Sequence, residues 1–461
     1  VGRERELDVI LDSWRSARAG RGQVVLLSGE AGIGKSRIAQ ALQEHLAKES
    51  HIRLRYNCSP RHTNSAFYPI ITQLEATAGF AREDTVETRL DKLEAVLAQS
   101  SNVDATAKPL FAALLSLPTE QRYGPLEMDA KAQKEATFAA LAAQLDRLAA
   151  RDPVAMYLED AHWIDPTTLE LFDRLVARIA TVPILLIVTF RAEFEAPWAR
   201  DDNVHRVALE RLGPAQVARV IDGITGGRRM PDDVVAEIVA KTDGIPLFVE
   251  ELTKALLESG LLHDDGTQFV VDGPLRDLMV PATLQESLLA RLDRLAAVKE
   301  VAQIGAALGR DFSHAVLDAV VGIPDAELRD ALVQLEDAEL LFRRGRPPEA
   351  TYRFKHALVQ DAAYQSMLRS TRAQLHKRIA RVLQEQFADT ADAAPDLLAH
   401  HLTEAGETET AIAAWRRAAR RAIDMAADVE AAVHLRRALE LLQGLTASPW
   451  SWISASSWAR R

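Results

Sequence analysis

Cysteine is nearly missing from this sequence: Cys58 is the only one in 461 residues. That excludes an intrachain disulfide framework and a cysteine-cluster metal site. Cys58 ends a strand-like run and is expected as a small buried residue. Long apolar runs are missing too. None approaches the roughly 20 residues that cross a bilayer, and no signal peptide opens the chain, so no membrane partner is expected and the cytoplasm is the expected compartment. Positive charge is in deficit, with 55 Lys and Arg against 66 Asp and Glu for a net charge of -11. This argues against a broad nucleic-acid surface and leaves room only for a local basic patch. Aromatic residues make up 6% of the chain, while 48% hydrophobic and 26% charged residues describe a globular protein. A chain this long exceeds one ordinary core, and roughly two to four domains are expected.

The two ends are unusual. The chain opens at Val1 rather than methionine, inside a helix-initiating box, so preceding residues are expected to have been removed or left out. Trp450, Trp452 and Trp458 crowd into a serine-rich stretch without helical periodicity, and 446–461 is expected to be an unstructured tail without function.

The most informative stretch is Gly29-Glu30-Ala31-Gly32-Ile33-Gly34-Lys35-Ser36, which fits G-x-x-x-x-G-K-[ST] and follows the apolar run Val24-Val25-Leu26-Leu27. A strand, a glycine-rich turn and the helix-like Arg37-Ile38-Ala39-Gln40-Ala41-Leu42 are the three parts a P-loop needs. Glycines let backbone N–H groups converge on phosphate oxygens, and the helix N-terminus adds a favourable dipole. Lys35 neutralises β/γ charge and Ser36 can ligate Mg²⁺. Residues 29–36, with Arg37 beside them, are therefore assigned to ATP or ADP.

Further strands are expected at Ile52–Asn57, Val154–Leu158, Ile184–Phe190 and Val204–Leu209, each a short apolar or β-branched run between helical patterns. Together with the first they predict an α/β P-loop fold with a parallel five-stranded sheet, covered on both faces. Residues 1–212 are expected to form this domain, with a helical insertion at about 60–150. Mostly α domains should follow: a helical lid at 213–280, a winged-helix-like domain at 281–395, and short TPR-like helices at 396–445, marked by Ala411, Ala414, Ala418, Ala431 and Ala432. The strands are expected largely to cease after Gly213, apart from a wing at Leu340–Arg343 and Thr351–Phe354.

Val154-Ala155-Met156-Tyr157-Leu158 ends in Glu159 and Asp160. P-loop ATPases need one acid near Mg²⁺ and another that orients or deprotonates water. Aligning the strand ends puts Glu159 on the metal side and Asp160 on the water side, and the reverse assignment stays open. Arg191 closes the next strand, where a guanidinium can read the γ-phosphate; the plainer reading is a loop arginine paired with Glu193 or Glu195. Gly244-Ile245-Pro246 is by itself a helix stop and restart. His356 follows the wing, and a lone histidine there is more often a packing or capping residue.

The order of Val1-Gly2-Arg3-Glu4, the P-loop, Leu158-Glu159-Asp160-Ala161-His162-Trp163, Thr189-Phe190-Arg191 and Gly244-Ile245-Pro246-Leu247 resembles that of STAND-type ATPases, signal-transducing relatives of AAA+ and origin-recognition ATPases. Val280-Pro281-Ala282-Thr283-Leu284-Gln285 and the stretch from Phe354 to Tyr364 look like the ATPase region of bacterial class III adenylate cyclase fusions and of large LuxR-type regulators. The resemblance covers about residues 1 to 440. It implies that Val1, Gly2 and Arg3 help enclose the adenine, that Pro246 packs on the base and that His356 touches the nucleotide. Neither a cyclase core nor a basic C-terminal recognition helix is legible, so direct nucleic-acid binding is not expected.

The expected function is a slowly hydrolysing ATPase switch of a signal-transduction protein, binding ATP or ADP with Mg²⁺. A protein partner is expected on the C-terminal helices, along with nucleotide-dependent oligomerisation. One alternative is a non-hydrolysing scaffold with ADP as a structural cofactor. The other is the ATPase portion of a cyclase or transcription regulator whose output lies outside this chain.

Overall fold

The computed structural model describes residues 2–99, 106–198, 202–258, 262–264, 268–271, 283–295 and 298–446. Val1, the phrase at 280–282 and the tail from 447 onward lie outside the described residues.

In chain order, α1 (Glu4–Arg18), β1 (Gln23–Ser28), α2 (Lys35–Leu46) and β2 (Ile52–Asn57) come first. Five helices follow: α3 (Tyr68–Ala78), α4 (Val86–Ala98), α5 (Ala107–Leu114), α6 (Glu120–Tyr123) and α7 (Ala130–Arg151). Then come β3 (Val154–Glu159), a 3-10 turn at Ala161–Trp163, α8 (Pro166–Ile179), β4 (Ile184–Phe190) and β5 (Val204–Ala208). The strands form one parallel sheet in the order β2-β3-β4-β1-β5.

Strand side chains alternate between faces, and both faces are covered. Val24, Leu26, Met156, Leu158, Leu186 and Val188 pack toward Phe111, Phe138 and Phe172 of the later helices. Val25, Leu27, Tyr157, Leu185 and Ile187 pack toward Ile10, Trp14, Ile38 and Leu42 of α1 and α2. Burial on both sides explains why β3 and β4 read as unbroken apolar runs. The helical insertion between β2 and β3 supplies Leu90, Leu93 and Phe111 to the first face.

Beyond the sheet, α9 (Pro214–Ile224), α10 (Asp232–Thr242) and α11 (Pro246–Glu258) pack around Val217, Ile221, Val234, Ile238, Val249 and Leu252. The turn into α11 demands glycine at 244. Its φ is +70°, and a Cβ there would stand 2.2 Å from the Leu212 carbonyl oxygen. Leu212 N in turn donates to Gly244 O at 2.8 Å.

Two strand sites depart from the sequence expectation. A hairpin, β6 (Leu262–Asp264) with β7 (Phe269–Val271), follows α11. Then α12 (Leu284–Arg294) and α13 (Lys299–Leu308) lead to β8 (Asp311–Ser313), which pairs antiparallel with a strand of the expected wing. Three residues are too few to carry a readable alternation, so pairing partners decide these strands. The elements α14 (His314–Val321), α15 (Asp325–Asp337), β9 (Leu341–Arg344) and β10 (Thr351–Phe354) complete a helix, strand, helix, helix, strand, strand order with sheet order β8-β10-β9.

The last helices are α16 (Ala357–Gln365), α17 (Arg369–Gln386), α18 (Ala388–Ala393), α19 (Pro395–Glu404), α20 (Thr408–Asp424) and α21 (Asp428–Thr446). α19 opens at Pro395, which occupies the first turn, where a missing N–H costs nothing. Ala411, Ala414, Ala418 and Ala419 of α20, Ala427 just before α21 and Ala431 of α21 are buried, Ala411 and Ala414 in one core with Leu398 and Leu402 of α19, and Ala427 and Ala431 against Ala66.

Candidate functional site at the sheet edge

β1 delivers the glycine turn and α2 begins at Lys35. Gly34 has φ +105°, and nothing lies within 4 Å of where its Cβ would stand, so the turn opens onto free space. Lys35 is only 8% exposed and donates to the carbonyls of Gly29 at 2.7 Å and Glu30 at 2.8 Å. Burial lowers its pKa to about 8, with Asp160 the main opposing charge. Ser36 and Arg37 are exposed on the first turn of α2, and Arg37 pairs with Glu44 at 3.4 Å.

α11 packs on this loop. Leu247 N donates to Gly32 O at 3.1 Å, and a Cβ at Gly32 would come 3.0 Å from Leu247 Cβ. Pro246 is therefore brought to the P-loop. Arg3 donates to Ile33 O at 3.2 Å and to Glu210 O at 2.6 Å, while Gln216 donates to Gly2 O at 3.2 Å. The N-terminal residues thus join the glycine turn to α9.

The two strand-end acids have different surroundings. Glu159 is 5% exposed; its Oε2 accepts from Arg55 at 2.8 Å, and its buried Oε1 has no hydrogen-bond partner. Asp160 has left-handed backbone at φ 55°, and its N–H donates to Thr189 Oγ1 of β4 at 3.0 Å. Its carboxylate is paired with Arg310, which precedes β8. Arg191 lies 5.3 Å from the Trp163 ring centroid and makes no ion pair with Glu193 or Glu195.

Two histidines border the same edge. Both ring nitrogens of His162 are buried without partners, and burial lowers its pKa to about 4. His356 sits at the start of α16, its Nε2 buried and unpartnered, and burial likewise lowers its pKa to about 4. Buried polar atoms normally find partners, so these orphans and Glu159 Oε1 fit a polar ligand and its metal. The residues present suit a nucleotide with Mg²⁺: glycine amides and Lys35 for phosphate, Ser36 and an acid for the cation.

Sequence reasoning missed Arg310, which lies in no motif and reaches Asp160 only through tertiary packing. It also missed Asp165. This fully buried side chain accepts from Phe67 N at 3.0 Å and Thr168 N at 2.8 Å, while Glu430 of α21 accepts from Thr167 N at 2.8 Å. Burial raises the Asp165 pKa to about 7, with Glu430 adding to the rise and the hydrogen bonds opposing it. An aspartate whose folded pKa is raised stabilises the fold most below its unfolded pKa near 4, and that contribution is lost as pH climbs through about 7. The lost term is on the order of 4 kcal/mol at most. Asp165→Asn keeps one acceptor and stays neutral, so its melting temperature should change less between about pH 5 and about pH 8 than the parent's. Parallel melting curves across that range would rule this assignment out.

Comparison with known proteins gives three likenesses. Residues 1–188 match the AAA ATPase domain family. An uncharacterized protein of Rhizobium meliloti is 28% identical over 450 residues, covering 96% of this chain and 42% of that protein. The chain thus spans less than half the length of this relative. A chain from the structure of Drosophila ORC bound to DNA is 10% identical, with a TM-score of 0.34 over 80% of this chain and 87% of that one.

Proposed function

We propose that this chain, whose residues 1–188 carry an AAA-type ATPase domain, is the nucleotide-operated switch of a larger regulatory protein. The observation that carries the proposal is convergence. Lys35 from α2, Asp160 from the end of β3 and Arg191 from the end of β4 act on one another electrostatically at one sheet edge. Groups from α11 and from the winged-helix elements close over that edge.

ATP would lie on residues 29–36, its phosphates held by backbone N–H groups and by Lys35, which exchanges the Gly29 and Glu30 carbonyls for phosphate oxygens. Mg²⁺, when bound, neutralises β/γ oxygens as charge develops. Ser36 would hold it directly and Glu159 through water, using the free Oε1. Asp160 would orient water and accept its proton as water attacks the γ-phosphorus and the bond to the bridging oxygen breaks, giving ADP and phosphate. Arg191 would contact the γ-phosphate oxygens. His356, neutral because it is buried, can donate one hydrogen bond to a β-phosphate without adding a charge that holds the nucleotide permanently.

A switch requires that ATP and ADP favour different arrangements, since a ligand that binds two states equally shifts neither. The α20 and α21 helices, anchored to the ATPase domain by Glu430, would transmit the change to a protein partner. Measured phosphate release and small-angle scattering with ADP and with a non-hydrolysable ATP analogue test this reading. Steady release with two distinct dimensions is expected. Tight ADP binding with no release and one unchanging shape would favour the scaffold alternative instead.

A further inference from the structure

We propose that Arg310 is a built-in brake on hydrolysis: its guanidinium occupies the Asp160 carboxylate in the closed arrangement and must leave before that carboxylate can take a proton from water. The inference rests on the reading of Asp160 as the water-side acid and names what regulates it.

The ion pair joins residues 150 positions apart, with side chains 15% and 19% exposed. Shielding of this degree makes the contact stronger than an open surface pair. The pair is also set by more than the two side chains. Arg310 O accepts from Phe354 N at 3.0 Å, pinning it to the β10 end of the wing. Arg353 of β10 donates to Asn57, at the end of β2, at 3.1 Å. Arg61, after β2, donates to Ala306 O at 2.7 Å and to Ala307 O near the end of α13. The wing sheet is thus fastened across the ends of β2 and β3, and this fastening aims Arg310 at Asp160.

A carboxylate oxygen engaged by a guanidinium has its lone pair committed to that hydrogen bond and is hindered from accepting a proton from water. The pair also covers the oxygen that water must approach. Other charged or titratable groups around the pair include Lys35 on α2, Cys58 after β2, Glu159 at the end of β3, His162 in the 3-10 turn, Arg191 and Glu193 after β4, and His356 before α16. Asp361 on α16 lies in the field of Arg191, Arg61 and Arg310. It offers Arg310 another carboxylate when the wing shifts, so release of Asp160 need not strand a buried cation.

Arg310→Gln keeps polarity and approximate length while removing the charge. In single-turnover assays with Mg·ATP it should hydrolyse at least about tenfold faster than the parent, the equivalent of about 1.4 kcal/mol. Arg310→Lys should stay close to the parental rate. Binding of a fluorescent ADP analogue, measured alongside, checks that the nucleotide site has survived. A general loosening of the fold would weaken that binding, which counts against the brake. An unchanged or slower rate in Arg310→Gln overturns it, the slower rate meaning that Arg310 assists the reaction. Absence of phosphate release from both parent and variant sinks the brake together with the hydrolytic reading. A hydrolysing parent with an unaccelerated variant sinks the brake alone.

Discussion

Lys35→Ala is expected to remove measurable Mg·ATP binding while leaving the fold intact. The buried ammonium is held by two backbone carbonyls, and neither the α2 core residues Ile38, Ala39 and Leu42 nor the strand beneath depends on it. In the complex it would exchange those neutral acceptors for charged phosphate oxygens. Each such bond is worth about 1.5–3 kcal/mol, so losing two corresponds to a drop on the order of 100-fold to 10⁴-fold in affinity. Titration calorimetry of the variant, with circular dichroism to verify folding, measures both halves. A well-folded Lys35→Ala protein that binds ATP like its parent would overturn the P-loop assignment.

The second large effect is expected at Asp160. Asp160→Asn keeps size and backbone conformation and removes the proton acceptor, so turnover should fall by about 10²-fold to 10⁴-fold with nucleotide still bound. The amide also loosens Arg310, which makes the result sharper: an unbraked site without an acceptor still fails to hydrolyse. Glu159→Gln should act differently. It strips Arg55 of its charged partner, and raises the Mg²⁺ concentration needed for binding more than it changes the rate at saturating Mg²⁺. Should Asp160→Asn hydrolyse at the parental rate while Glu159→Gln does not, the two roles are exchanged.

The positions that proved easiest to read were those whose physics is local. The P-loop is one contiguous strand, turn and helix, so residue types and spacing carry its chemistry directly. The buried strands announce themselves by uninterrupted apolar runs, and β2, β4 and β10 fall on their expected residues. The acids at the end of β3 were legible for the same reason. Their difference was not, because Glu159 is distinguished by Arg55 on the neighbouring strand and Asp160 by an arginine in another part of the chain.

Sequence by itself determined the class of sheet, the glycine turn between β1 and α2, the helical segment after Leu212 and the row of candidate residues at the strand ends. Each follows from periodicity or from contacts within a few residues. Tertiary structure alone decided that β8 and the β6–β7 hairpin exist, that α21 reaches back to cap α8 through Glu430, and that Arg310 lies on Asp160. Those features depend on where distant segments meet, and a side chain's environment in the folded core comes from its neighbours in space, which the order of residues along the chain does not display.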